Sequence, residues 1–190
     1  GGPYLKERLG YDSIKMSNAL LGLSLGNNFG ALLNPYVPDI FFKKSKKWSA
    51  FVDVLISILC CLPFVFCPEK LNFAMVVSLL AVYAITTAGV GVIVYPLCIE
   101  SFHPSMGGSV SGCCNCFAFL SCIIFMPITG KILEKCGMDP KKPDIHSAEG
   151  FKYGLWVFNI CALSIGSLFF LFVKNPKKDN DKNEQMKNDY

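Results

Sequence analysis

Apolar residues in this chain come in runs of about 20, the length that crosses a bilayer, and polar residues gather between the runs. Five such runs predict transmembrane helices over residues 17–37, 48–66, 71–98, 107–132 and 154–173. Residues 1–5, GGPYL, read as the end of a truncated transmembrane helix, and the chain as a fragment of a longer protein. Residues 174–190 are charged, lack an apolar pattern and predict a disordered tail. The fold class that follows is an all-α polytopic membrane protein with about five full spans. Its organising stretch is Ala84 to Lys131, two apolar runs around a polar turn at Glu100 to Ser105.

The runs differ in kind. In the first, Gly22, Gly26 and Gly30 recur every four residues and share one face, which lets a neighbouring backbone approach closely. Asn27, Asn28 and Asn34 lie in the same run, and an amide in hydrocarbon needs a partner or water. In the third, which closes around Tyr95-Pro96, Tyr83 and Thr87 share a face with Gly91, and Thr86 lies beside them. In the fourth, Gly108, Ser111, Gly112, Asn115, Ala118 and Cys122 form a small and polar face, Gly108 to Gly112 being a GxxxG step. Pro127 is placed to kink that helix. The second and fifth runs are bulky, which suits helices facing lipid. Asp53 is the one acid in the second run, five residues in from Trp48. It is expected to reach the interface or pair with a lysine of the adjacent loop, with a proton relay as the alternative.

Composition agrees with the pattern: 190 residues are 52% apolar with a mean hydropathy of +0.42. The net charge of +4 comes from 18 basic residues, all but Arg8 lysine, against 14 acidic ones. They sit in membrane-flanking loops, and no basic stripe with a reader motif points to nucleic acid. The basic residues divide evenly between the two sides of the predicted topology. The compact KKSKK cluster therefore decides the orientation, with its own side and the tail cytoplasmic. Ten cysteines behave chiefly as small apolar filler. Cys113 and Cys116 make a CxxC spacing, but no further ligands accompany them, so neither a metal nor another cofactor is expected.

Several strings, in order, resemble the C-terminal half of a major facilitator superfamily transporter. GGPYL is similar to the end of that family's seventh helix. GNNFGALLNPYVPDIFFKKSKK is similar to the end of helix eight with the loop motif of Asp and a basic cluster. CIESFHPSMGGSVSGCCN resembles the junction of helices ten and eleven, and MPITGKIL the end of helix eleven. Two departures stand out. Met106-Gly107 occupies the place of the usual Arg-Gly, and proline replaces the glycine before Asp39.

The resemblance implies a twelve-helix fold of which this is the C-terminal part. Helices seven, eight, ten and eleven would line a solute route, while nine and twelve would face lipid. It implies a secondary transporter of a small solute working by alternating access in the plasma membrane, not an enzyme. Its partners would be the solute, the lipid bilayer and a missing N-terminal six-helix half, with coupling to a proton or another ion left open. Asn27, Asn28, Tyr83, Thr86, Thr87 and Asn115 are the candidates for meeting solute, and each could equally serve as packing or as a tie between helices. Asp39 and Glu100, with Lys43 and Lys44, are the candidate cytoplasmic gate; plain solvated loop charge is the alternative. Two other readings stay open: a membrane thiol oxidoreductase using Cys113 and Cys116, and a non-transporting truncated membrane fragment.

Overall fold

The chain is described by a computed structural model covering residues 2–42, 45–67, 71–102, 104–136, 138–139 and 142–172. After a π-helical turn at Tyr4–Arg8 come α1 (Ser13–Leu33), α2 (Val37–Phe41), α3 (Lys46–Phe66) and α4 (Phe73–Glu100). A 3₁₀ turn at Pro104–Met106 leads into α5 (Gly107–Lys135). Strands β1 (Met138–Asp139) and β2 (Lys142–His146) pair antiparallel, a small departure from an all-helical chain in what was expected to be a loop. Then come α6 (Ala148–Phe151), a π-helical turn at Lys152–Val157 and α7 (Phe158–Phe172).

Two caps set the helix starts. The Asp12 side chain accepts the Lys15 amide at 2.9 Å, so α1 begins at Ser13, four residues before the expected start. Asn72 accepts the Met75 amide at 2.8 Å and starts α4. α1 also ends early, at Leu33 instead of residue 37, because Pro35 has no N–H to continue the ladder. α4, in contrast, runs through Pro96 to Glu100. Pro96 gives nothing to the carbonyl of Val92, but the flanking bonds carry the helix past that gap.

Among the described residues, four helical stretches are long and apolar enough to cross a membrane: Lys46–Phe66, Phe73–Glu100, Gly107–Lys135 and Glu149–Phe172. This is a multi-pass membrane protein. The fifth expected span, α1, has the length at 21 residues but not the apolarity, since Lys15, Asn18, Asn27 and Asn28 interrupt it.

α4 is central, with α1 along one side and α3 along the other; α7 packs on α3, and α5 touches the group more lightly. The α1–α4 contact is glycine-mediated. A β-carbon at Gly26 would lie 2.5 Å from the Ala81 carbonyl oxygen, and one at Gly30 2.3 Å from that of Ile85. Gly22 is looser, 3.0 Å from a Val77 methyl. Gly108 and Gly112 on α5 face open space, so that GxxxG step packs against nothing among the described residues.

α3, expected to turn toward lipid, does so on one side only. Leu55, Leu59 and Phe66 are exposed, whereas Ser49, Ala50, Asp53, Ser57, Cys60 and Cys61 are buried against its neighbours. α5, expected to line a route, has no buried residue.

The two ends of the bundle have opposite character. At one, Phe64 stacks on Trp156 with ring centroids 4.2 Å apart, and Tyr4 meets Phe64, Phe151 and Trp156 edge-on. This ties the amino-terminal turn to the end of α3 and the start of the last span. At the other, Lys46 pairs with Glu100, and Lys47 Nζ donates to the Leu171 carbonyl at 3.0 Å. The chain thus crosses back and forth between an aromatic end and a charged end.

Candidate functional site

The charged end is built by α2, the first turn of α3 and the last turns of α4. Lys46 opens α3 and Glu100 closes α4, so the antiparallel packing of the two helices brings the ammonium and the carboxylate together. Both groups are partly exposed, and the pair is therefore easily broken. Beside it lies a cleft of about 240 Å³ lined by Pro35, Pro38, Asp39, Lys46, Val92, Ile93 and Pro96. Three of its lining residues are prolines, which bring no N–H of their own to the cleft wall. Asp39 lines it and is exposed. Lys43 and Lys44, expected to serve Glu100, lie outside the described residues, and the lysine that does so is Lys46 from the same KKSKK cluster.

Within the spans, polar groups are joined helix to helix by single bonds. Thr86 is buried and its hydroxyl lies 2.7 Å from that of Ser57, crossing from α4 to α3. Ser57 can give its proton to the Asp53 main-chain carbonyl at 2.9 Å, or Thr86 can give its own to the Val82 or Tyr83 carbonyl at 3.1 Å. The two hydroxyls therefore form a short chain that can run in either direction. The Tyr83 hydroxyl accepts from Asn159 Nδ2 at 2.8 Å, joining α4 to α7. Tyr95 donates to Asn115 Oδ1, joining α4 to α5. Asn34 is buried and its Nδ2 donates to the Ile85 carbonyl at 2.9 Å.

The other candidates are not brought to this seam. Thr87 turns back onto its own helix, donating to the Tyr83 carbonyl at 2.8 Å. Asn27 and Asn28 are exposed, and Asn28 Nδ2 donates to the Ser24 carbonyl at 3.0 Å within α1.

Asp53 departs from its expected setting. It is 7% exposed, and among the described residues it pairs with no lysine and no donor reaches Oδ2. The reason is rotational. Asp53 sits on the face of α3 that Ser49 and Ser57 also occupy, and that face is turned inward. Spacing by four would have shown this stripe in the sequence. Ser49, Ser57 and Lys46 are the residues that the bulk of their neighbours concealed. Asn159 carried no such signal, because its partner Tyr83 is 76 residues away.

Cys113 and Cys116 are free and exposed on α5, and no group of three or more His, Cys, Asp and Glu among the described residues is placed to hold a metal ion. The chemistry this arrangement offers is the making and breaking of weak polar contacts between helices. In comparisons with known proteins, no family model, no curated protein and no solved structure matches the chain.

Proposed function

We propose that this chain is part of a secondary transporter that moves a small solute by alternating access, with an arrangement of the major facilitator type. The observation that carries the reading is the Lys46–Glu100 pair standing beside the proline-lined cleft. A gate must hold and release at little cost, and an exposed ion pair contributes about 1 kcal/mol or less. Behind it, cross-helix bonds such as Ser57–Thr86 and Tyr83–Asn159 are single contacts of the strength that helix rocking can exchange.

In this reading Glu100, Lys46 and Asp39 form the gate. Thr86, Tyr83 and Asn115 contribute to the route, with Asn27, Asn28 and Thr87 as secondary positions. A second six-helix half completes the path and the bilayer surrounds both. The charged end faces the cytoplasm, the tail with it, and the membrane is the plasma membrane, on the strength of the KKSKK cluster.

The test is uptake in liposomes by the full-length protein, this chain together with the second half, against a panel of labelled sugars, organic anions and amino acids, with cysteines placed at positions 46 and 100. Uptake above protein-free vesicles that stops on bridging the two cysteines, and resumes on reduction, is expected. Uptake of no panel member, or uptake indifferent to the bridge, overturns the reading.

A further inference from the structure

We propose that Asp53 is a proton-binding site within the membrane span, reached from the charged end past Ser49. The side chain is buried on the inward face of α3, and Oδ2 has no donor among the described residues. One helical turn toward the charged end, Ser49 is 1% exposed and its hydroxyl is likewise without a partner. One turn the other way is Ser57, already engaged with Thr86. Ser49, Asp53 and Ser57 thus form a buried polar stripe with two unfilled positions, both on the side of the Lys46–Glu100 pair.

Among the described residues no cation is paired with Asp53. The elements packed most closely on α3 are α4, α7, α2 and the π-helical turn at Lys152–Val157, and the turn at Tyr4–Arg8, with Tyr4, Lys6, Glu7 and Arg8, meets α3 at Phe64 at the aromatic end. α4 brings Glu100 as its one formal charge, with Tyr83, Tyr95 and Cys98; α7 brings Cys161; α2 brings Asp39; the π-helical turn brings Lys152 and Tyr153 at the aromatic end. α3 itself has Lys46, Lys47, Cys60 and Cys61. Lys46 is held by Glu100 and Lys47 by the Leu171 carbonyl. Lys46 is seven residues from Asp53, roughly 10 Å along the axis. Its stem leans toward the helix start, away from the acid.

An ionised carboxylate without a cation or a full set of donors costs several kcal/mol to bury, and a neutral carboxyl far less. Closing the bundle over Asp53 therefore favours the acid form, and binding a proton favours the closed bundle by the same free energy. When the charged end opens and water enters, the O–H bond breaks, its electron pair stays on the carboxylate and the proton passes to water. Closure reverses the step. Use of this site for coupling rests on the transporter reading; its occupation by a proton does not.

The test uses the full chain in liposomes and dicyclohexylcarbodiimide, an apolar reagent that adds to protonated carboxyls. Peptide mass spectrometry across a pH series is expected to find Asp53 labelled, with the label falling as pH rises, absent in Asp53→Asn and kept in Asp53→Glu. The infrared carbonyl stretch of a protonated carboxyl should be present in the wild-type chain, titrate with the label and vanish in Asp53→Asn. If Asp53→Asn does not fold, the pH response of the wild-type band and its shift in Asp53→Glu decide the matter. Asp53 unlabelled with no such band, or a label and band that do not change with pH, overturns the proposal. Labelling of Asp53 with no panel solute moved by the full-length protein loses only the transporter reading, and transport with Asp53 inert loses only this inference.

Discussion

A β-carbon on Gly89 would lie 2.2 Å from Nδ2 of Asn34, so the amide that joins α1 to α4 exists only because position 89 has no side chain. The same amide donates to the Ile85 carbonyl, one turn before Gly89. Gly30 presses on that carbonyl from α1. Three features of the sequence thus meet at one backbone oxygen: the last glycine of the α1 stripe, the asparagine that ends α1 and a glycine inside α4.

This meeting point predicts a graded response to alanine. Gly30→Ala and Gly89→Ala should each destabilise the folded chain by about 1–3 kcal/mol, since rigid backbone or a locked amide must move. Gly22→Ala, against one movable methyl, should cost less. Gly108→Ala and Gly112→Ala should be close to neutral, because a β-carbon there meets nothing. Unfolding of the reconstituted chain in denaturing detergent measures the series, and equal losses at positions 30 and 112 would contradict the packing.

The hydroxyl pair between α3 and α4 predicts a coupling. Ser57→Ala and Thr86→Val, made singly and together, should give an interaction free energy of about 0.6 kcal/mol, the average for such bonds between membrane helices. Thr87→Val is the control, since its hydroxyl bonds only within α4. A cycle with no coupling would mean that the two hydroxyls are not bonded.

For Tyr83 and Asn159 the outcome depends on which partner is removed. Asn159→Leu leaves the Tyr83 hydroxyl without its donor, and Tyr83→Phe leaves the Asn159 amide only the weaker Cys61 thiol, 3.8 Å away, as acceptor. Each single change should cost about 1–3 kcal/mol. The double replacement should recover part of that loss, because no polar group of the pair then remains. Additive losses in the same detergent-unfolding assay would refute the bond.

The ion pair at the charged end predicts salt dependence without a large stability term. Glu100→Gln should lower stability by about 1 kcal/mol or less, and the difference from wild type should shrink as salt is raised. The exchanged pair, Lys46→Glu with Glu100→Lys, should restore stability in the detergent-unfolding assay better than either change alone. Equal defects in the single and double variants would leave the two groups unconnected.

The membrane character, the helices and the glycine stripe were legible in the sequence because each depends on neighbours within one element. Runs of about 20 apolar residues suit a bilayer whatever they pack against. A spacing of four puts Gly22, Gly26 and Gly30 on one face by helix geometry alone. Asp12, Asn72 and Pro35 set helix ends through bonds made or refused within four residues. α1 has the length of a span but is richer in polar residues than the four apolar helices.

Only the tertiary structure decided how the helices turn about their axes and which distant groups meet. The bulk of Leu55, Leu59 and Phe66 marked α3 as lipid-facing, yet its opposite face carries Ser49, Asp53 and Ser57 into the interior. Asn159 reaches Tyr83, and Lys46 reaches Glu100. Local periodicity defines faces, but the direction a face points is settled by the sum of contacts with every other helix. The side-chain bonds among those contacts join residues 20 to 124 positions apart, beyond the few residues over which helix periodicity speaks.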